Sequence, residues 1–406
     1  MNIMHDSLPF RVSRILDRAE EGRELSVLDG ETLFAAEGET LDRLLRLADS
    51  VRQKTVGEVA SFVINRNINF TNVCYMGCNF CNFAKRKDEA GAELLPLEEI
   101  ARRAVEAAGR GATEVCIQGG LHPDIPASHY RDIILAIKRA APQLHIHAFS
   151  PFEIWYASRK ARMDVHDFLT ELKEAGLGSM PGTAAEILDR DVRLRLTKNK
   201  LSTDAWISII RAAHQVGIPT TSTIMYGHID GPSHWAAHMA LLRDIQKDTG
   251  GFSEFVPLGF IHSDSPLYLN NSDVRPGPTR AEHIRLHAVA RLMLRGWIDN
   301  IQASWVKLGP VLARDMLRYG ANDFGGTLIN ESISRAAGAT SGQEVTASEI
   351  VRVIRSAGLV PVQRDTLYRP LKRFDGMDAT GGQETLVPRT MQQQANIHSA
   401  TREQNR

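Results

Sequence analysis

Ala60-Ser-Phe-Val-Ile-Asn-Arg-Asn-Ile-Asn-Phe70, with Cys74-Tyr-Met-Gly-Cys78-Asn-Phe-Cys81 just beyond it, decides how the rest of the chain is read. The first run is apolar and β-branched between polar residues and reads as a strand. The second puts three cysteines at a C-x3-C-x2-C spacing on one short loop, so three thiolates can converge on a small inorganic centre. Structural zinc usually takes four ligands and shows paired C-x2-C knuckles. A [4Fe–4S] cluster usually takes four thiolates, so three leave one iron open, as a site that binds its substrate on metal requires. The remaining cysteine, Cys116, lies in Val115-Cys116-Ile117 and reads as packing within a buried strand. An open-iron cluster is therefore preferred to zinc, with three unrelated buried thiols as the plain alternative.

Outward from this loop a rhythm extends. Strand-like runs at 60–70, 113–119, 144–150, 177–181, 220–226, 253–260, 299–305 and 321–328 alternate with helical stretches. Leu97, Ile100, Ala101, Ala104, Val105 and Ala108 form one helical stripe, and Trp206, Ile209, Ile210 and Ala213 another, stopped by Gly217. Thr279-Arg-Ala-Glu282 has the spacing of a capping box. Strands alternating with helices predict parallel pairing through right-handed crossovers. Eight such units fit an α/β fold of the closed (β/α)8 TIM-barrel type, assigned to residues 56–375, ahead of an open doubly wound sheet. Residues 1–55 read as a helical lead-in, with Leu41, Leu44, Leu45 and Ala48 on one face. The polar stretch 376–406 reads as a disordered tail.

Composition removes other classes. The 406 residues carry 48 Lys+Arg against 48 Asp+Glu, so no basic excess is available for a nucleic-acid partner. At 43% hydrophobic the chain can build a core. No segment has the make-up of a membrane span or a secretory signal, which predicts a cytoplasmic protein with no membrane partner, in a reducing setting where clustered thiols stay reduced.

Cys74 to Cys81, with the aromatic Phe80 immediately before the last cysteine, resembles the signature of the radical S-adenosylmethionine (SAM) superfamily. The resemblance implies that Cys74, Cys78 and Cys81 hold a [4Fe–4S] cluster, that SAM chelates the fourth iron, and that Phe80 lies against the adenine. Over roughly residues 55–370, Gln118-Gly-Gly-Leu-His-Pro123, His145-Ile-His-Ala-Phe-Ser-Pro151, Pro181-Gly-Thr-Ala-Ala-Glu186, Met225-Tyr-Gly-His228, Ser304-Trp-Val-Lys307, Gly320-Ala-Asn-Asp-Phe-Gly-Gly-Thr327 and Ser332-Ile-Ser-Arg-Ala-Ala-Gly338 resemble one branch of it. That branch contains the deazaflavin (FO) synthase subunits and the futalosine-pathway enzymes of menaquinone synthesis. The Gly-Gly-Phe-Ser-Glu-Phe-Val-Pro-Leu run ending at Leu258, together with Arg364-Asp-Thr-Leu-Tyr368, is most similar to the tyrosine-using FO synthase subunits of coenzyme F420 biosynthesis. Ala339-Thr-Ser-Gly342 departs from the His-Gly expected in that subfamily, which bears on any substrate contact made by that loop.

Strand ends supply the remaining candidates, because barrel enzymes place their sites at the C-terminal face. Gln118, Gly119 and Gly120 end the second strand, where glycine lets backbone approach a ligand; the resemblance puts the SAM amino group there. Glu186, beyond Pro181-Gly182, is a second SAM contact. Tyr226 and His228 end the fifth strand and are the catalytic candidates. His147, Gln302, Ser304, Asn322, Asp323 and Thr327 are substrate candidates, and Lys307 and Arg335 are cations for a carboxylate. Each has a plainer reading as a bonded core residue, a turn or a solvated charge.

The resemblance also implies the reaction. A reduced cluster donates one electron to SAM, giving methionine and a 5′-deoxyadenosyl radical, which takes a hydrogen atom from the amino nitrogen of L-tyrosine. The Cα–Cβ bond breaks, 2-iminoacetate leaves, and the 4-hydroxybenzyl fragment joins C5 of 5-amino-6-(D-ribitylamino)uracil. An electron donor such as a flavodoxin or ferredoxin, and the partner FO synthase subunit, complete the implied partners. A futalosine-pathway enzyme is the nearer alternative, and a non-enzymatic iron–sulfur or zinc protein the farther one.

Overall fold

The computed structural model describes residues 7–197, 199, 201–330, 333–336, 338, 344–376 and 385–386. The tail from 377 and the departure at 339–342 otherwise lie outside the described residues. The chain begins with helices Leu8–Glu20, Val27–Leu33 and Gly38–Val56. The first buries Val12, Ile15, Leu16 and Ala19 at helical spacing; the second starts on a Ser26–Asp29 capping box; the third ends at Gly57, whose φ of 74° suits glycine. In the third helix Leu44 and Ala48 are buried, and Leu41 and Leu45 pack half-buried against the core. Phe34 packs edge-on to Trp235 at 5.1 Å, which joins this region to helix Pro232–Thr249 of the barrel.

Ten strands are formed among the described residues: β1 (Val59–Val63), β2 (Asn65–Asn69), β3 (Glu114–Gln118), β4 (His145–Ala148), β5 (Thr220–Tyr226), β6 (Phe252–Gly259), β7 (Asp323–Gly326), β8 (Val360–Arg364), β9 (Pro370–Arg373) and the short β10 (Thr385–Leu386), which pairs with β9. Parallel ladders join β2 to β3, β3 to β4, and β5 to β6. Isolated parallel bridges carry the circuit onward: His147 with Ser179, Met180 with Thr220, Phe255 with Ile301, and Gln302 with Asp323. A last bridge, Arg66 with Ile329, returns to β2 and closes the barrel, which excludes the open sheet.

Three differences from the strand expectations have local causes. Residues 60–70 form two strands: β1 pairs with β7 and β8, whereas β2 pairs with β3, and Ile64 is the joint. The runs at 177–181 and 299–305 narrow to bridges. Pro181 has no N–H for a ladder, and the Ile301 N–H donates to the side chain of Asn322 at 2.8 Å. Finally, β8 and β9 form a hairpin that joins the sheet next to β1.

Alternation along the strands sets the inside and outside of the barrel. Arg66 reaches outward to Glu106 and the Arg103 carbonyl of helix Leu97–Gly109. Asn65, Asn67 and Asn69 therefore face inward, level with Glu114, Cys116 and Gln118 across the ladder. The expectation that Cys116 packs among apolar neighbours is thus corrected: Val115 and Ile117 take the apolar outer face, and Cys116 lies in the lumen between Asn67 and His147.

Candidate active site at the cysteine loop

The cysteine loop leaves the end of β2 and is fastened along its length. The Cys74 N–H donates to the Lys85 carbonyl at 3.0 Å, and the Cys81 N–H closes a turn onto the Cys78 carbonyl at 3.1 Å. Gly77, with φ 66°, makes the bend between Cys74 and Cys78. The loop rests on the end of helix Arg190–Leu196: the Asn79 N–H donates to the Leu196 carbonyl at 3.1 Å, and Thr197 Oγ1 to the Gly77 carbonyl at 3.3 Å.

None of the three cysteines is in a disulfide, and all three line one cavity of about 180 Å³ with Gly119, Gly120, Ser150, Phe152 and Glu153. A Cβ at Gly120 would collide with the Val73 carbonyl, and one at Gly119 would lie 2.6 Å from the Phe70 ring, so both glycines are sterically required. Among the described residues no group of three His, Cys, Asp or Glu side chains closes tightly enough to hold a single metal ion. Three thiols spread around a cavity fit a cluster whose irons each take a separate thiolate. The donor set therefore suits the [4Fe–4S] group that the radical SAM superfamily carries.

Glu153 is a site residue the sequence reading missed. It is almost fully buried at the start of helix Pro151–Ala161 and accepts from the Gly119 N–H at 2.9 Å and from the N–H and hydroxyl of Ser150, each at 2.7 Å. Burial pushes its carboxyl up to about 7, against the pull of these donors. The available signal was Ser150-Pro-Phe-Glu153, a capping-box spacing directly after a strand.

A second cavity of about 210 Å³ adjoins the first through Phe80, Cys81, Phe83, Gln118, Thr183, Ala184 and Ile333. Its further wall is Glu186, Thr223, Met225, Leu258, Phe260 and Lys307. Glu186 and Ala184 hold positive φ, 41° and 67°, a costly conformation for side-chain-bearing residues. Arg193, itself buried, secures this segment by donating to the carbonyls of Ala184, Ala185 and Ile187. Burial lowers the Arg193 pKa, and the nearby Glu186 and Cys78 oppose that shift. Gln118 Nε2 bonds Thr183 Oγ1 at 3.3 Å across the shared wall.

The cysteines, Phe80, Gln118, Gly119, Gly120 and Glu186 thus come together around two joined cavities, and several other candidates do not. Tyr226 points outward from β5: its hydroxyl meets His283 Nδ1 at 2.5 Å, and its ring packs edge-on to Trp235. Burial raises that phenol well above its usual value. His228 has a fully buried side chain, with Nε2 on the Met225 carbonyl at 3.0 Å and Nδ1 accepting from the Ile229 N–H at 2.8 Å. Burial lowers its pKa, against the opposing charge of Asp230. The correction is one of strand phase: Met225, adjacent to Tyr226, is the residue that faces the cavity.

The lumen residues are bonded to one another. His147 Nδ1 and His145 Nε2 share the Ser179 hydroxyl, each at 2.7 Å, and burial pushes His147 down to about 4. Gln302 donates to Glu254 at 3.2 Å, and burial moves that carboxyl up to about 7 against the pull of Arg364. Asn322 accepts from Arg291 at 2.7 Å, Asp323 pairs with Arg364 at 2.6 Å, and Thr327 holds the backbone of Asn65. Contrary to the substrate expectation, Asn322, Asp323 and Thr327 are used up in the wall. Ser304 is buried at the start of helix Trp305–Met316. The side chain of Arg335 lies outside the described residues.

Residues 68–242 match the radical SAM superfamily, and residues 249–376 match the CofH/MqnC C-terminal region. The chain is 53% identical over 348 residues to the 5-amino-6-(D-ribitylamino)uracil–L-tyrosine 4-hydroxyphenyl transferase of Methanopyrus kandleri, covering 85% of this chain and 94% of that protein. It is 52% identical over 341 residues to the FO synthase of Nocardia farcinica, covering 84% of this chain and 39% of that one. The chain therefore spans about two fifths of the FO synthases it matches. Among solved structures, methylornithine synthase superposes with a TM-score of 0.68 at 20% identity, over 86% of this chain and 97% of that one. The hydrogenase maturase HydG of Carboxydothermus hydrogenoformans gives 0.69 at 18%, over 88% and 80%. These two share the fold. The chain belongs to the radical SAM superfamily of enzymes and, within it, to the family containing these FO synthases and tyrosine 4-hydroxyphenyl transferases. Among the described residues no helix is long and apolar enough to cross a membrane.

Proposed function

We propose that the chain transfers the 4-hydroxybenzyl group of L-tyrosine to C5 of 5-amino-6-(D-ribitylamino)uracil, releasing 2-iminoacetate, with SAM consumed to methionine and 5′-deoxyadenosine, on the way to FO and coenzyme F420. The observation that carries this reading is the pair of joined cavities: one ringed by three thiols, the other walled by Phe80, Phe83, Met225, Leu258 and Phe260. The second is suited to an aromatic side chain, and the 53% identity to the Methanopyrus transferase supports that choice.

Cys74, Cys78 and Cys81 would hold the cluster, and when bound, cluster and SAM supply the one-electron chemistry. The chain's own contribution is placement. Phe80 offers a flat face to the adenine, and Gln118, Gly119 and Gly120 present backbone to the SAM amino group. Glu186 offers a carboxylate to the same cofactor, and the apolar wall keeps water from the reacting atoms. His147, Gln302 and Ser304 line neither cavity. An electron donor such as a flavodoxin or ferredoxin would approach the rim, where Tyr75 is exposed and Arg86 stacks on its ring at 4.6 Å. The reading carries a reducing, cytoplasmic setting, and product passes to the partner FO synthase activity.

The test is anaerobic incubation of reconstituted protein with reductant, SAM, tyrosine and the diaminouracil. Coupled formation of deoxyadenosine and the hydroxybenzylated product is expected. Deoxyadenosine formed without tyrosine consumption would sink the reading. Cys78→Ala should lose the iron–sulfur absorbance and SAM cleavage while keeping its circular dichroism; retained cleavage would refute the ligand assignment.

A further inference from the structure

The two joined cavities differ in charge. Among the described residues lining either one, Lys307 is the only lysine or arginine, and it borders the apolar cavity, which Cys74 and Cys78 do not reach. It lies in the first turn of helix Trp305–Met316, just after the barrel position at Ile301 and Gln302. Gly309, at φ 73°, breaks that helix two residues beyond Lys307, so the lysine sits on a single short turn at the border of the cavity. Its ammonium donates to the Ser334 hydroxyl at 2.8 Å, and Ser334 is buried. Met225, Leu258 and Phe260 share the same wall. A carboxylate brought into such a lobe loses its water and needs a cation to replace it.

We propose that Lys307, oriented by Ser334, anchors the α-carboxylate of the amino-acid substrate and makes the site specific for an amino acid over the corresponding amine or amide. This rests on the reading of tyrosine as substrate. The phenol ring then lies along Met225, Leu258 and Phe260, and the carboxylate end is held at the edge of the lobe. Lys307 is a specificity-determining residue: it takes no part in bond breaking, and 2-iminoacetate leaves with the carboxylate intact.

The experiment uses the reconstituted holoenzyme and measures equilibrium binding of L-tyrosine, L-tyrosinamide and SAM to wild type, Lys307→Met, Lys307→Arg and Ser334→Ala. Wild type should prefer tyrosine to its amide by roughly ten-fold or more. Lys307→Met should lose that preference while keeping its iron content and its SAM affinity within about two-fold of wild type, since only the charge pair is removed. Lys307→Arg should restore part of the preference, and Ser334→Ala should show a smaller loss of it. An anchor that is absent shows as retained discrimination in Lys307→Met, and an equal loss of SAM affinity would assign the lysine to the cofactor instead. Wild type that binds neither tyrosine nor its amide overturns the tyrosine reading itself, a result distinct from both.

Discussion

Toward the N-terminal ends of the strands, the lumen is filled with polar groups that answer one another. Arg364 meets Asp323 at 2.6 Å and lies over the ring of Tyr368, whose hydroxyl donates to Glu254 at 2.5 Å. Toward the C-terminal ends, thiols, glycines, Glu153 and Glu186 border open cavities. Both halves are polar, and the two joined cavities lie in the second. Inward-facing polarity alone does not mark a barrel residue as functional; the distinction is whether its hydrogen-bonding capacity is spent on neighbours. The β8–β9 hairpin spends it in the lower half, where Arg364 locks β8 to β7 through Asp323, so that the rim above is carried on a closed base.

The comparison can be broken most severely with acid. His147, His238, His283 and His287 are buried imidazoles in the lumen and wall, and burial lowers their pKa from 6.5 to about 4, 3, 4 and 4 respectively. Below about pH 6.5 the unfolded chain binds these protons and the folded chain does not. The contribution of these four groups is therefore full above that pH and is lost as pH falls toward 4, each by up to about 1.4 kcal/mol per pH unit, while Glu153 and Glu254, raised to about 7, offset part of the loss. Urea midpoints should drop steadily between pH 7 and pH 5, and a flat profile would contradict the burial of these rings as neutral groups.

A more local break is Asp323→Ala. It leaves the Arg364 guanidinium, whose pKa that carboxylate helps to raise, buried without its bidentate partner. The expected cost is about 3–5 kcal/mol in denaturant unfolding, with iron loading at low temperature retained. Loss of iron without loss of stability would show that the lower half acts directly on the site. The smallest effect is reserved for Tyr226→Phe, which removes one buried hydroxyl bonded to His283. It should cost about 1 kcal/mol and leave turnover close to that of wild type. A collapse of turnover in a stable variant would return Tyr226 to the site.

The two halves were not equally legible in the sequence. The cysteine loop could be read because strand and ligands are contiguous, and Gln118 to Gly120 because glycines at a strand end have few other uses. Tyr226 was misplaced by one residue: Met225 and Tyr226 are both large and mostly apolar, and only the register of β5 against β6 says which faces inward. Asp323 and Arg364 lie 41 residues apart, and Tyr368 and Glu254 lie 114 apart, so nothing local indicates that they are already paired. Glu153 had a local signature in its capping box, and it reaches the site through Gly119, a contact that exists only once β3 and β4 are side by side.

The first family-matched stretch ends and the second begins within helix Pro232–Thr249, yet β5 on one side is zipped to β6 on the other along most of its length. The ring closes only when Ile329, from the second stretch, returns to Arg66 beside the first. Severed at that helix, each piece would be an arc with two bare strand edges, a shape prone to pairing with whatever it meets. The two stretches therefore form one ring, and neither alone encloses the cavities.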